Sequence, residues 1–122
     1  MTDARVITTG YVPDGALPAL LSGATALVYP SLYEGFGLPV LEAMACRTAV
    51  VTTRLTSLPE VAGDDAIYID PNDPSDLARQ LMILAGDDDL RADYADRGHK
   101  RAARFSWEVG ALRMDDIIRS CL

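Results

Sequence analysis

The chemistry most visible in this chain lies in two carboxylates that bracket a glycine-rich turn. Glu34 and Glu42 enclose the seven residues "GFGLPVL" within the stretch "YEGFGLPVLEAMA". A carboxylate has two acceptor oxygens, so Glu42 can accept from both hydroxyls of a vicinal diol such as a ribose. Glu34, ahead of the turn, can face a sugar or stabilise developing positive charge. Gly35 and Gly37 allow positive φ or a close backbone approach to a ligand. The amides of Gly35, Phe36, Gly37 and Leu38 precede a helix, whose start carries unpaired N–H groups suited to phosphate or hydroxyl oxygens. Each feature also has a plain structural role. The helix dipole alone favours an acid near the helix start, and Glu42 is expected in the first turn or so. Glu34 can be a solvated loop charge. Ser31, behind Pro30, can donate to a ligand phosphate or simply cap the turn. The Lys-Ser/Thr ending of a phosphate loop is absent.

The elements around this turn read as alternating strands and helices. "RVITTG", "TALVYP", "TAVVTT" and "AIYIDP" are short β-branched apolar runs, the second and fourth ended by Pro30 and Pro71. Continuous apolar runs of this length suit strands buried on both faces. Between them, "DGALPALLSGA" reads as a helix with Leu17, Leu20 and Leu21 on one face. "LPVLEAMAC" reads as a helix with Pro39 in its first turn, where the missing N–H costs nothing. "SLPEVAGDD" is a short turn or helix. From Pro74 onward the pattern is helical only. Leu77, Leu81 and Leu84 fall at helical spacing, Gly86 is a stop, and Ser106 is a good N-cap. Such alternation argues for a parallel sheet with helices on both faces. Ligands of such sheets bind beyond the carboxyl ends of the strands, which is where the Glu34–Glu42 turn falls.

The chain has 122 residues, enough for one domain with a modest core. It carries 11 basic and 18 acidic residues, a formal net charge of -7, and is 49% hydrophobic. That charge excludes a nucleic-acid or anionic-membrane partner, both of which need basic surface. It leaves room for an anionic small molecule at a locally positive site. "MTDARVITTG" has no apolar leader core, and no run is long enough to cross a bilayer. A cytoplasmic location is therefore expected. Cys46 and Cys121 have no metal-ligand spacing and read as two reduced thiols, with a disulfide between them left open. Phe105 and Trp107 read as anchors of the last helix to the core. His99 reads as solvated on a charged, largely exposed helix, and the Asp87–Asp89 run as a turn and helix start.

"PSLYEGFGLPVLEAMA" resembles the signature of the retaining glycosyltransferases of family four, in the GT-B superfamily. The flanking runs "TTGYVPDGALPALLSGATALVYPS", "VVTTRLTSLPEVAGDDAIYIDPNDPSDLARQL" and "RAARFSWEVGA" resemble the same family, so the likeness covers nearly the whole chain. The resemblance implies that residues 1–122 form the later part of a carboxyl-terminal, donor-binding domain, with the acceptor domain absent. It implies that Glu42 holds the ribose of a nucleotide diphosphate sugar and that Glu34 acts catalytically near the reacting carbon. The backbone of Gly35, Phe36, Gly37 and Leu38 would bind sugar hydroxyls or phosphate, with Ser31 as a further donor contact. Transfer would go to a sugar or lipid acceptor with retention, without a cofactor or obligatory metal.

The resemblance also implies what this chain lacks. Family members carry an Arg and a Lys on the diphosphate in an earlier segment, and such fixed cations strongly stabilise a leaving phosphate. The chain by itself is thus expected not to complete a transfer. The other function class compatible with these residues is a non-catalytic nucleotide-sugar binding or interaction module that completes its sheet with a partner chain. The family's strand order maps the four apolar runs to strands three to six of a 3-2-1-4-5-6 sheet. A truncated Rossmann-like sheet of about four strands, with flanking helices and a helical C-terminal segment, is expected. Either "RVITTG" pairs directly with "ALVYP", or the edge of "ALVYP" stays open to self-association or a partner chain. Finally, the family has Gly-x-Pro where this chain has Arg47, Thr48 and Ala49. An arginine forced to positive φ there costs roughly 1 kcal/mol or more.

Overall fold

The computed structural model of the chain describes residues 5–121. Along it run α1 (Leu17–Ser22), β1 (Leu27–Tyr29), α2 (Leu38–Ala45), β2 (Val50–Thr52), α3 (Leu58–Ala62), β3 (Ile67–Tyr68), α4 (Pro74–Gly86), α5 (Asp88–Ala102) and α6 (Trp107–Ser120). The strands form one 3-stranded parallel sheet in the order β1-β2-β3. Leu27 lies opposite Val50, Tyr29 opposite Thr52, and Val51 opposite Ile67. Among the described residues no helix is long and apolar enough to cross a membrane.

Successive side chains of a strand point to opposite faces, and β2 uses both. Val50 packs with Leu21 of α1, Val40 and Met44 of α2, and Leu58 and Val61 of α3. Val51 packs on the other face with Ile67, Ile69 and Leu84, and against Leu77 and Leu81 of α4. All three β2 residues are buried, as a central parallel strand requires. The caps follow from sequence. Asp73 accepts from the Ser75 amide at the start of α4, Asp87 from Leu90 at α5, and Ser106 from Val109 at α6.

α5 is less exposed than its charge suggests. Gly98 lies against α2 so closely that a Cβ there would sit 3.1 Å from Met44 Cγ. His99 is not merely solvated: its Nδ1–H donates to the Ala45 carbonyl at 2.9 Å and so covers the end of α2. Arg47, just past that end, does adopt φ 58, the left-handed conformation that favours glycine. Its guanidinium pairs with Asp96 of α5, both side chains being exposed.

Four expectations change. The sheet has three strands rather than about four, because "RVITTG" forms no strand. A strand is stabilised by its neighbour, and no strand lies beside β1 on that side among the described residues. Val6 and Ile7 are accordingly 61% and 83% exposed. β1 is only half-buried, as an edge strand. Glu42 is the fifth residue of α2, beyond its first turn, so the dipole accounts for less of it. Trp107 does not anchor the last helix: it is 91% exposed, and α6 buries none of its residues. Cys46 and Cys121 are both free thiols.

Candidate functional site

Because β1 and β2 run parallel with Tyr29 beside Thr52, the loops that follow them leave the same end of the sheet. The β1–α2 loop carries Ser31 to Gly37, and the β2–α3 loop carries Thr53 to Ser57. Hydroxyls of the second loop hold the first at successive points. Thr52 Oγ1 donates to the Tyr29 carbonyl at 2.8 Å, and Thr53 Oγ1 to the Ser31 carbonyl at 2.7 Å. Both threonines are fully buried, where a hydroxyl without a partner would be costly. The Glu34 amide donates to Thr56 Oγ1 at 3.1 Å, and Ser57 Oγ donates to the Glu34 carbonyl at 3.1 Å.

The Glu34 side chain is held as firmly as its backbone. Tyr29 Oη and Ser31 Oγ both donate to Glu34 Oε1, at 2.6 and 2.7 Å. These two bonds, that of Tyr29 foremost, keep the Glu34 carboxyl below the usual glutamate range. In return the bond to the carboxylate, helped by burial and by its charge, pushes the Tyr29 phenol up to about 12. Glu34 is therefore ionised at neutral pH, with Oε1 committed to the protein. No hydroxyl or amide among the described residues donates to its Oε2.

Past Glu34 the backbone turns into α2. Gly37 is the N-cap residue at φ 94, and no side chain caps the helix. A Cβ on Gly37 would lie 2.7 Å from Leu58 Cδ2. Gly35 differs: its φ is not positive, and a Cβ there would meet nothing within 4 Å. The fold itself thus explains Gly37 but not Gly35. The amides of Gly35, Phe36, Gly37 and Leu38 donate to no group among the described residues. The Glu42 carboxylate, half-buried on α2, likewise has no hydrogen-bond or ion-pair partner among them, although its carbonyl accepts from the Cys46 amide at 3.1 Å. Ser31 and Glu34 are brought into direct contact, while no hydrogen bond joins Glu34 to Glu42.

Phe36 and Leu38 also line a cleft of about 640 Å³ between the start of α2 and α6. Leu41, Phe105, Trp107 and Val109 complete its apolar wall, and the Phe36 and Phe105 rings meet edge to face at 6.1 Å. Arg101, Arg104 and Arg113 border this cleft. Arg101 Nε and its terminal nitrogen donate to the Val61 and Glu60 carbonyls at 2.5 and 2.7 Å, capping α3. Arg54 stacks on the Tyr68 ring at 4.0 Å. Sequence reasoning missed Tyr29, Thr52, Thr53, Thr56 and Ser57. The signal was the cluster "VVTTRLTS": hydroxyls at the carboxyl end of a buried strand must find acceptors.

Among the described residues no group of three His, Cys, Asp or Glu side chains is placed to hold a metal ion. The family model for "Glycosyl transferases group 1" matches residues 2–101. The chain belongs to the group 1 glycosyl transferases. Its α/β core is the Rossmann-like fold of the GT-B superfamily. It is 50% identical over 99 residues to O-antigen chain mannosyltransferase B of Escherichia coli, covering 81% of this chain and 26% of that protein. It is 42% identical over 113 residues to MMP alpha-(1->4)-mannosyltransferase of Mycolicibacterium hassiacum, covering 88% of this chain and 27% of that protein. Among solved structures, the sucrose-phosphate synthase of Thermosynechococcus elongatus superposes with a TM-score of 0.86 at 30% identity, over 96% of this chain and 30% of that one. The glycosyl transferase chain described here thus spans about a quarter to a third of the length of these relatives.

Proposed function

We propose that this chain is donor-binding machinery of a retaining, family-four glycosyltransferase, corresponding to the later part of its carboxyl-terminal domain. The observation that carries the reading is the set of groups around the start of α2 unpartnered among the described residues: the four amides from Gly35 to Leu38, the Oε2 of Glu34, and the Glu42 carboxylate. All these groups are hydrogen-bonding sites that water or a polyhydroxylated anion must fill. Glu42 takes the ribose hydroxyls of a nucleotide diphosphate sugar. The amides take sugar hydroxyls or phosphate oxygens. Glu34 lies at the donor sugar, where a fixed negative charge stabilises the positive charge that develops on the reacting carbon. The substrate we favour is a mannosyl donor, on the strength of the two mannosyltransferase relatives. Retention, a sugar or lipid acceptor and the absence of an obligatory metal belong to the same proposal. The acceptor face falls to the part of the relatives that this chain does not span.

Calorimetric titration with nucleotide diphosphate mannose and glucose tests the reading. The chain should bind a donor, and Glu42→Ala should weaken it by roughly tenfold to a hundredfold, the loss of charge-assisted bonds to two hydroxyls. Absence of heat at millimolar donor, from a folded chain, would refute it. A second reading, a binding module without transfer, is favoured by the engagement of the nearest cations: Arg47 pairs with Asp96 and Arg54 stacks on Tyr68. Those two are the cations nearest in sequence; Arg101, Arg104 and Arg113 border the cleft beside Phe36 and Leu38. On this second reading donor binds but is neither transferred nor hydrolysed. The open edge of β1 supports self-association or pairing with another chain in either reading.

A further inference from the structure

We infer that Tyr29, Ser31, Thr56 and Ser57 are positioning residues that present Glu34 with one oxygen locked and the other free. The inference rests on the donor-site reading for its purpose, but its geometry stands apart from it. Four hydroxyls converge on one residue and satisfy its backbone N–H, its carbonyl and one side-chain oxygen. They come from two segments separated by more than twenty residues of chain, so tertiary structure alone assembles them. A solvated loop glutamate would need none of this.

Thr56 supplies an independent sign. It adopts φ 51, a conformation that β-branched residues strongly avoid. Strain of this kind persists only where surrounding contacts over-determine it, and it gathers at functional positions. Here the turn brings Thr56 Oγ1 to the Glu34 amide and puts Ser57 beside the Glu34 carbonyl. The buried Thr53 hydroxyl fixes the Ser31 carbonyl, and so the base from which Ser31 reaches Oε1. With Oε1 taken twice, Oε2 is the oxygen left to face a sugar. A fixed orientation removes the rotational freedom that a free glutamate would lose on binding, the usual gain from preorganisation.

The test uses Tyr29→Phe, which deletes only the hydroxyl. Carboxyl-carbon NMR of the chain should show Glu34 titrating below the ordinary glutamate range. In Tyr29→Phe that titration should move upward while the amide spectrum otherwise keeps its dispersion. Donor affinity at neutral pH, where the carboxylate stays ionised in both proteins, should fall roughly threefold to tenfold, the effect of one lost hydrogen bond. Thr56→Gly removes the acceptor and the strain together, so it should weaken donor binding without lowering stability; a purely structural threonine would give the reverse. An unmoved Glu34 titration in Tyr29→Phe would overturn the inference. A moved titration in a chain that binds no nucleotide sugar would uphold the clamp and remove the donor site.

Discussion

Replacing Gly37 by alanine separates what the fold demands of the turn from what a ligand demands. The new methyl carbon would sit 2.7 Å from Leu58 Cδ2, inside contact distance, and Leu58 is fully buried in the core beside β2. The backbone would also have to hold alanine at φ 94. Left-handed backbone costs an L-residue about 1–2 kcal/mol. Overpacking a filled core costs about 1–3 kcal/mol. The lower chain entropy of unfolded alanine returns about 0.4–1 kcal/mol. The net loss is about 1–4.5 kcal/mol, a large share of the total stability of a small domain. With a urea m-value near the middle of the usual range, the midpoint should drop by roughly 0.5–2 M. Gly35→Ala is the matched control. It meets no neighbour and no positive φ, so its stability should stay within about 0.5 kcal/mol of the parent, while donor binding weakens if the methyl intrudes where the proposed site brings backbone to the sugar. Equal midpoints for Gly37→Ala and the parent would refute the reasoning about the turn, as would a Gly35→Ala loss as large as that of Gly37→Ala.

Four further outcomes follow from the structure. Arg47→Gly should raise the unfolding free energy by about 0.5–1 kcal/mol, read from urea melts, since it relieves φ 58 and gives up only an exposed ion pair with Asp96. Two carboxyls are held low: Glu34 by Tyr29 and Ser31, and Asp76 chiefly by the Asp70 amide and then Arg79. Groups with depressed folded pKa stabilise the fold above the ordinary carboxylate range and lose that contribution as pH falls through their folded values. Asp76→Asn should therefore flatten the acid limb below about pH 4 in urea midpoints measured against pH. Tyr29 gives the opposite limb, because its pKa is raised to about 12: its contribution is full below the unfolded tyrosine value near 10 and is lost as pH rises through 12, visible as late tyrosinate absorbance absent from Tyr29→Phe. Trp107 is the sole tryptophan and is 91% exposed, so the monomer should emit like tryptophan in water and be quenched freely by iodide. A concentration-dependent blue shift, matched by sedimentation, would place α6 in a self-association surface.

Much of the candidate turn was legible because it is local. Pro30 ends β1, Pro39 falls in the first turn of α2, and the glycines and glutamates from Glu34 to Glu42 lie within a few residues whose roles depend on spacing. Strands β1 to β3 and the caps Asp87 and Ser106 were legible for the same reason: apolar runs and short polar side chains act on their own backbone. The failures were of another kind. "RVITTG" has the composition of a strand but no neighbour to pair with. Trp107 has the composition of an anchor but stands 91% exposed on a helix that buries none of its residues among those described. His99 and Gly98 belonged to a pattern of charge that hid how closely α5 lies on α2.

By itself the sequence determined the family, the alternation of strands and helices, and the turn in which two glutamates flank two glycines. Those are properties of adjacent residues and of periodicity, and they survive in any chain carrying the same letters in the same order. Tertiary structure decided which glycine the fold requires, which glutamate oxygen is spoken for, and that Thr56 and Ser57 reach back across the sheet end to hold Glu34. The reason is the parallel sheet. Pairing Tyr29 with Thr52 brings two loops to one edge that are separated in sequence by a helix, and hydrogen bonds acting over about 3 Å cannot be read from residues twenty positions apart.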